Sequence, residues 1–173
     1  MKKFQPISPE DFSKNPFTAI GKDWMLITAE SHGKANTMTA AWGGLGVMWN
    51  KNVAFIVVRK NRYTKEFLDQ SDTFSLSFLG EEHRKTLGYL GSVSGRDEDK
   101  IAKSGLRLAH ENSIPYFTEA SVVLLCRKLC VQPIDPQGFV SDDIDAKWYS
   151  GSDAGNYHDL YIGEITQILK AED

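Results

Sequence analysis

A short stretch with an unusual mixture of side chains, NTMTAAWGGLG at residues 36–46, is the first candidate for chemistry. It combines two threonines, two alanines and three glycines with one tryptophan. On a strand, side chains alternate between faces, so one face would carry Thr37, Thr39 and then almost no side chain. Small residues let a flat molecule lie against the backbone, and hydroxyl and peptide groups hydrogen-bond its edge. The stretch is compatible with a ligand platform or with a plain edge strand whose threonines are good β-formers.

A second stretch, RKNRYTKEF at residues 59–67, has the composition of an anion site. An apolar run ends at Arg59, and a helical segment is predicted to begin at Thr64. Free backbone N–H groups at the start of a helix attract anions, and nearby hydroxyl and cationic side chains strengthen the attraction. Phosphate is the natural guest of such a site. The alternative is a solvent-exposed basic turn.

A third stretch, GSVSGRDEDK at residues 91–100, brackets a turn with glycines and serines. It is compatible with a loop that wraps a ligand, with Ser94 and Lys100 as polar contacts. A helix-capping segment, with Ser94 or Asp97 as the cap, is the simpler interpretation.

Several other kinds of chemistry find no support in the sequence. There is no G-x-S-x-G nucleophile motif, no P-loop lysine, and the spacing of GGLG does not match a dinucleotide fingerprint. Cys126 and Cys130 lie about 13 Å apart if they share a strand, so they cannot pair without breaking it. No third metal ligand lies near them in the sequence. We therefore expect reduced, half-buried thiols and no metal.

The elements that must position these residues are mostly strands. Period-2 alternation and β-branched runs predict six of them, with a hairpin turn at residues 31–34 and a central strand buried on both faces at 53–59. Their predicted ranges are 24–30, 36–42, 53–59, 72–79, 121–134 and 159–170. Three short helices are predicted at 64–70, capped by Thr64, at 81–91, ending at glycine, and at 96–105, ending at Gly105. A closed or nearly closed antiparallel barrel fits this order best.

Length and charge limit the possible partners. The chain has 173 residues, which suits one domain, and a formal net charge of -3. The acidic balance argues against binding nucleic acid or an anionic membrane surface. No apolar run follows the lysines of the N-terminal MKK, and the longest apolar run is far short of the roughly 20 residues of a membrane span. We expect a cytoplasmic protein.

Taken in order, four stretches resemble the flavin reductase-like family, the FMN-binding split barrels that include flavoredoxin. The resemblance extends from about residue 24 to about residue 170. NTMTAAW resembles the strand beneath the flavin, and VVRKNRYTKEFL resembles the strand-to-helix phosphate turn. SVSGRDEDK followed by IAKSGL is similar to the SGRD-type loop and is the most specific match. YHDLYIGEI resembles the closing strand, where a histidine precedes an apolar-Gly-Glu sequence.

The resemblance implies a mainly β fold: a six-stranded antiparallel Greek-key split β-barrel with a few short accessory helices. It implies one domain over residues 1–173 and a homodimer that binds FMN near its interface. The implied flavin contacts are Asn36, Thr37, Met38, Thr39, Ala41 and Trp42 at the ring and ribityl chain, Arg59, Arg62, Tyr63 and Thr64 at the phosphate, and Ser94 and Lys100 from the loop, with Lys100 from the partner side. His158 is implied to stand where a nicotinamide approaches. One departure is GVMWNKN, at a position where reductases of the family often have a proline-rich turn.

Three functions are compatible with this resemblance. In the main interpretation the protein is an NAD(P)H:FMN oxidoreductase, which takes hydride from NADH or NADPH and passes electrons to an unknown acceptor. In the second it is an FMN electron carrier without an efficient nicotinamide site, as flavoredoxin is. In the third it is a split barrel that has lost flavin and binds another ligand. Trp148, Tyr149 and Tyr157 discriminate the first two, because a nicotinamide cannot stack on a flavin that these rings cover.

Overall fold

Ten β-strands and five short α-helices form the regular structure of residues 3–172, the part of the chain that the computed structural model describes. Met1, Lys2 and Asp173, which belong to the predicted domain 1–173, lie outside the described residues. The strands are β1 (Phe4–Ile7), β2 (Met25–Ser31), β3 (Lys34–Ala40), β4 (Gly43–Met48), β5 (Lys51–Arg59), β6 (Thr73–Phe78), β7 (Leu108–Glu111), β8 (Ile114–Phe117), β9 (Val122–Pro133) and β10 (His158–Ala171). The helices are α1 (Pro16–Gly21), α2 (Tyr63–Gln70), α3 (Arg84–Ser92), α4 (Lys100–Ser104) and α5 (Asp143–Trp148).

One antiparallel sheet holds most of the strands in the order β3-β2-β6-β9-β10-β5-β4, and β7 pairs with β8 in a separate hairpin. The long strand β10 pairs with β9 along most of its length. On its other side it pairs with β5 from His158 to Glu164 and with β1 from Ile168 to Ala171. Because β10 exchanges β5 for β1, the sheet divides there. The predicted mainly β, antiparallel split barrel with a few short helices is confirmed.

All six predicted strands are present, but six is too low a count. The structure adds β1, β4, β7 and β8. Three of these have only four residues each, and two of the three contain a proline, so their sequences carry little strand signal. The predicted hairpin turn is present, with His32 and Gly33 at positive φ between the paired Ser31 and Lys34.

Strand β4 explains the glycines of the stretch GGLG. A Cβ atom at Gly43 would lie 2.4 Å from the carbonyl oxygen of Phe55 on β5. The ring of Phe55 lies over the next glycines, 3.5 Å from a Cβ built at Gly46 and 3.9 Å from one built at Gly44. The three glycines therefore let β4 pack closely against β5 and its phenylalanine.

The core has two parts, one on each side of the sheet. Met25, Ile27 and Phe74 belong to one buried cluster, whereas Leu26, between the first two in sequence, belongs to the other. The predicted alternation of β6 is confirmed, because Phe74, Leu76 and Phe78 all lie in the first cluster. The sheet is thus covered on both sides over β2 and β6.

Strand β5 is buried along one face and on the other only at Val53, so the predicted burial of both faces holds in part. Ala54, Ile56 and Val58 are fully buried, whereas Phe55 and Val57 on the opposite face are partly exposed. Phe55 covers the glycines of β4, and Val57 lines a cavity described below. An apolar run alone does not show whether its second face meets the core or a cavity.

All three predicted helices have at least one wrong boundary, and α3 begins at Arg84 and not at residue 81, because Glu81–His83 form a 3-10 turn. Helix α2 begins at Tyr63 with Arg62 at the N-cap. Thr64 does not cap it, because its hydroxyl accepts a hydrogen bond from Asn36 on β3. Helix α3 continues through glycine to Ser92. Helix α4 begins only at Lys100, since the carboxylate of Asp99 caps it. Its predicted end is confirmed, with Gly105 in the left-handed conformation.

The cysteine predictions hold in part. Both thiols lie on β9 and are free, as expected. Cys126 is completely buried instead of half-buried, and that burial raises the pKa of its thiol, whereas Cys130 is partly exposed.

Gly163 on β10 provides a test of this packing. A Cβ atom there would lie 2.5 Å from Cζ of Phe74, whose ring is fully buried. We expect Gly163→Ala to lower the free energy of unfolding by about 1–3 kcal/mol through overpacking. Urea unfolding measures this. Gly138→Ala, where nothing lies within 4 Å of the added atom, is the matched control, and equal effects of the two changes would contradict the packing.

Candidate functional site

Two adjoining cavities open where the end of β3, the turn between β5 and α2, and the end of α3 meet. Their volumes are about 110 Å³ and about 220 Å³. Both are bordered by Met38, Thr39 and Arg62. The first is otherwise lined by Asn61, Tyr63, Thr64, Leu90, Gly91, Ser92, Val93, Ser94, Gly95 and Lys100, and the second by Ala40, Ala41, Trp42, Val57, Arg59, Trp148 and His158.

The structure brings together all but two of the side chains predicted for the site. Those that border a cavity are Met38, Thr39, Ala41, Trp42, Arg59, Arg62, Tyr63, Thr64, Ser94, Lys100 and His158. Asn36 and Thr37 do not border either one. The segment GVMWNKN, which differs from the proline-rich turn of family reductases, forms the β4–β5 hairpin, with Trp49 and Asn50 at positive φ. It does not line either cavity.

Asn36 lies behind the first cavity and connects its walls. Its amide nitrogen donates to the Thr64 hydroxyl at 2.8 Å, which joins β3 to α2. Its amide oxygen lies 2.3 Å from where a Cβ of Gly95 would be, so this glycine lets the loop after α3 approach β3. Asn36 is therefore a buried brace for three segments of the wall.

The two threonines of β3 use their hydroxyl protons within the protein. Thr37 is fully buried, and its hydroxyl donates to the Ile27 carbonyl at 3.0 Å. Thr39 donates to the Leu87 carbonyl at 2.6 Å while still bordering both cavities. For the described residues 3–172, β3 has a strand partner on one side only, so its outer backbone edge is unpaired beside the cavities.

The first cavity has the charge and donors of an anion site. The Arg62 guanidinium is exposed at its rim and makes no hydrogen bond or ion pair with any residue of the described range 3–172. The first amides of α2, those of Tyr63 and Thr64, have no acceptor within their own helix. Together these groups offer N–H donors and positive charge to one small volume.

Lys100 adds a buried ammonium group to the first cavity. Its Nζ atom donates to the carbonyls of Leu90 at 2.8 Å and Val93 at 3.0 Å. Burial, and then the nearby Arg62 guanidinium, lower the pKa of Lys100 to about 8. This lysine lies in the cavity of its own chain, whereas the family resemblance implied an approach from the partner.

Arg96, which was not predicted for the site, supports the wall of the first cavity without lining it. Its guanidinium donates to the Asn61 carbonyl at 3.1 Å, pairs with Glu66 of α2, and lies over the ring of Tyr63. It therefore holds the loop after α3 against the turn before α2. The arginine of the SGRD-type loop was visible in the sequence, but its partners lie about 30 residues away.

The second cavity has aromatic walls. The rings of Trp42 and Trp148 meet edge to face with centroids 4.9 Å apart, and the His158 ring lies 5.2 Å from Trp42. Of the three rings that discriminate a reductase from a carrier, only Trp148 lines the cavity. Tyr149 and Tyr157 pack behind it, 4.6 Å from each other.

Arg59 anchors the segment that carries these rings. Its guanidinium donates to the carbonyls of Trp148 at 3.0 Å and Asn156 at 3.3 Å, and lies 3.5 Å from the Asp153 carboxylate. It also lies over the ring of Tyr149. Arg59 therefore borders the second cavity and anchors the segment that carries Trp148. It is separate from the cationic groups of the first cavity.

His158 is the titratable group of the second cavity. It is 7% exposed, and its Nδ1 atom lies 2.7 Å from the Tyr149 hydroxyl. Burial, and then the positive charges of Arg59 and Arg62, lower the pKa of His158 to about 4. The imidazole is thus neutral near pH 7.

Neither a metal cluster nor a membrane-spanning helix is found in residues 3–172. No group of three or more His, Cys, Asp or Glu side chains in this range is arranged to hold a metal ion. No helix of the same range is long and apolar enough to cross a membrane.

The fold is that of a split barrel, and its two adjoining cavities form the candidate ligand site. The family model of the flavin reductase like domain matches residues 18–173, so the chain belongs to the flavin reductase-like family. A curated relative, the uncharacterized protein YddH of Escherichia coli K12, is 34% identical over 84 residues. That match spans 47% of this chain and 44% of YddH, less than half of either protein.

Solved structures share the fold over most of the chain. An FMN-binding domain of a flavin reductases-like enzyme from Shewanella baltica OS155 superposes with a TM-score of 0.70 at 18% identity, over 98% of this chain and 78% of its own. Flavoredoxin from Methanosarcina acetivorans has a TM-score of 0.66 at 25% identity, over 87% and 69%. The first likeness, at its low identity, shows the fold alone.

The neutral state of His158 predicts an acid-dependent loss of stability. With the folded-state pKa near 4 and the unfolded value near 6.5, the unfolded chain binds a proton at intermediate pH that the folded chain does not. The contribution to the free energy of unfolding is complete above about pH 6.5 and falls towards pH 4, by at most about 1.4 kcal/mol per pH unit. Urea unfolding of wild type and His158→Gln measures the difference. We expect a shallower pH dependence in the variant, and parallel curves would contradict the burial.

Proposed function

We propose that this protein binds FMN across the two cavities and acts as an NAD(P)H-dependent flavin reductase-like oxidoreductase. The observation that carries the proposal is the junction of a cationic, N–H-rich cavity with an aromatic-walled one through Met38, Thr39 and Arg62. FMN has a matching construction, with a phosphate at one end of a ribityl chain and a flat ring at the other. Family membership supports the same conclusion.

The residues present fit the cofactor. Arg62, Lys100 and the first amides of α2 form a donor set suited to a phosphate dianion, with Ser94 at the same cavity. Trp42 and Met38 offer apolar surface to a ring, and Ala41 adds little bulk beside them. Of the four residues predicted at the phosphate, Arg62, Tyr63 and Thr64 border the first cavity, whereas Arg59 borders the second.

In this proposal the side chains bind and orient, and they need not supply an acid or base. FMN, when bound, supplies the hydride and electron chemistry. Asn36 and Arg96 hold the walls of the phosphate end, and the unpaired edge of β3 offers peptide groups to the edge of the ring. Trp148, held by Arg59, limits the access of water and of the electron donor to the ring end.

A carrier function is the second candidate, and Trp148 is the observation that favours it. Its ring lines the cavity in which the flavin ring is proposed to lie, so it occupies space that a stacked nicotinamide needs. Flavoredoxin of Methanosarcina acetivorans has the same fold, which is consistent with this function. The two candidates differ in whether Trp148 moves aside when NADH or NADPH arrives.

A homodimer is also proposed. Phe17, Val47 and Trp49 are large apolar side chains that are 88%, 72% and 54% exposed. Phe17 lines a further groove with Ala41 and Trp42, next to the second cavity. An apolar surface beside a site is a frequent mark of a subunit interface.

The phosphate assignment is tested with a matched pair of ligands. We expect Arg62→Ala to weaken FMN binding about 10-fold to 100-fold, the value of one charge-assisted hydrogen bond of about 1.5–3 kcal/mol. Riboflavin, which lacks the phosphate, should bind wild type and variant equally.

Because Lys100 loses its proton above about pH 8, FMN affinity should also fall there, and Lys100→Met should remove that dependence. Fluorescence titration gives the affinities, and light scattering of the same samples tests the dimer. Equal losses of FMN affinity and riboflavin affinity in Arg62→Ala would contradict the phosphate assignment.

The choice between reductase and carrier is tested by the visible spectrum under anaerobic conditions. We expect bound-flavin bands that bleach on addition of NADH or NADPH, faster with one nucleotide than with the other. Bands that bleach only with dithionite would support the carrier, and Trp148→Ala should then open the ring to the nucleotide. Protein that neither contains nor takes up FMN would contradict both functions.

A further inference from the structure

The contact between Tyr149 and His158 has a consequence for the second cavity. The phenol oxygen lies 2.7 Å from Nδ1 of the imidazole, and each of the two residues is 7% exposed. For residues 3–172, this is the one hydrogen bond that the hydroxyl of Tyr149 makes to a side chain. A buried contact this short requires one proton between the two atoms.

Proton accounting decides which atom donates. Burial raises the pKa of the Tyr149 phenol, although Arg59 and the backbone N–H of His158 act in the opposite direction, so the hydroxyl keeps its proton. If Nδ1 carried the imidazole proton, the phenol would have to accept, and its own proton would be left without an acceptor, which is costly in a buried place. If the phenol donates to Nδ1, every proton in the contact is used. A neutral imidazole whose Nδ1 accepts carries its proton on Nε2.

We propose that Tyr149 is a positioning residue that fixes His158 with its proton on Nε2, so that His158 offers the second cavity a neutral hydrogen-bond donor for a carbonyl or amide oxygen of the bound substrate. Nε2 has no hydrogen-bond partner in the described range 3–172, and His158 lines the cavity. The substrate part of the inference rests on the proposed function. The tautomer part does not.

The charges around His158 keep the donor neutral. Arg59 on β5 and Arg62 in the following turn oppose protonation, whereas Asp153 and Asp159 favour it and are outweighed. Tyr149 acts in the same direction as the arginines, since a phenol can donate only to an unprotonated Nδ1. A neutral donor beside an aromatic wall suits a flat ring that carries a carbonyl or amide group, the class to which nicotinamide belongs.

The tautomer is measured directly by long-range ¹H–¹⁵N correlation spectra of protein labelled with ¹⁵N-histidine. The chain has four histidines, and His158→Gln identifies the signal of interest. We expect the wild-type shifts of a protonated Nε2 and an accepting Nδ1. In Tyr149→Phe, which removes one oxygen and keeps the ring, we expect a mixture of tautomers and a higher pKa for His158.

Tyr157→Phe is the matched control, because its hydroxyl contacts Asp145 at 2.7 Å and not His158. It should leave the His158 signals unchanged. A wild-type signal with the proton on Nδ1, or a Tyr149→Phe signal like that of wild type, would overturn the proposal. The wild-type measurement keeps the test decisive if the variant does not fold.

The donor is tested on FMN-loaded protein with nicotinamide as the probe and pyridine, which lacks the amide, as its control. We expect nicotinamide to shift the Nε2 signal and pyridine to leave it in place. Equal responses would overturn the assignment of the donor to an amide oxygen. Failure of the protein to take up FMN would contradict the proposed function while leaving the tautomer result intact, so the two failures are distinguishable.

Discussion

One partly buried ammonium group, that of Lys65, connects helix α2 to the strand that carries His158. It lies 2.8 Å from the carboxylates of both Asp69 and Asp159 and 3.0 Å from the hydroxyl of Tyr161. Burial opposes the charge, but the contacts with these three groups outweigh it and raise the pKa of Lys65. Asp159 is itself buried, so removal of Lys65 would leave a buried carboxylate without its partner, which costs more than the loss of an exposed ion pair. The orientation of α2, and with it the donor set of the first cavity, depends on this contact.

The turn between β5 and α2 serves both cavities with two arginines of opposite function. Arg62 extends into open volume with no partner in residues 3–172, whereas Arg59, three positions earlier, has its donors taken by the carbonyls of Trp148 and Asn156. Bound partners make a guanidinium a structural anchor, and an unpartnered one is available to a ligand. One tight turn thus fixes the cover of the ring end and supplies charge to the phosphate end, so the two ends cannot move independently.

The sequence was sufficient for the parts of the fold with local signals. The alternation of Phe74, Leu76 and Phe78 marks β6 because each side chain reports on its own face. Strand β4 was not predicted, because its glycines are required by packing against Phe55 on another strand and carry no strand signal of their own. Thr64 has the composition of a helix cap, yet Asn36, 28 residues earlier, takes its hydroxyl. Most of the predicted site residues border the cavities, but their hydrogen-bond partners are set by contacts between distant segments, which no short motif contains.

The edge-to-face tryptophan pair gives the protein a built-in optical sensor. Trp42 and Trp148 border the proposed ring site, whereas Trp24 lies against the Arg84 guanidinium and Trp49 lies in the β4–β5 turn. A coloured ligand bound at the ring end lies next to the first two indoles, so it quenches their emission most strongly. Intrinsic fluorescence therefore reports occupancy of the ring end without any label.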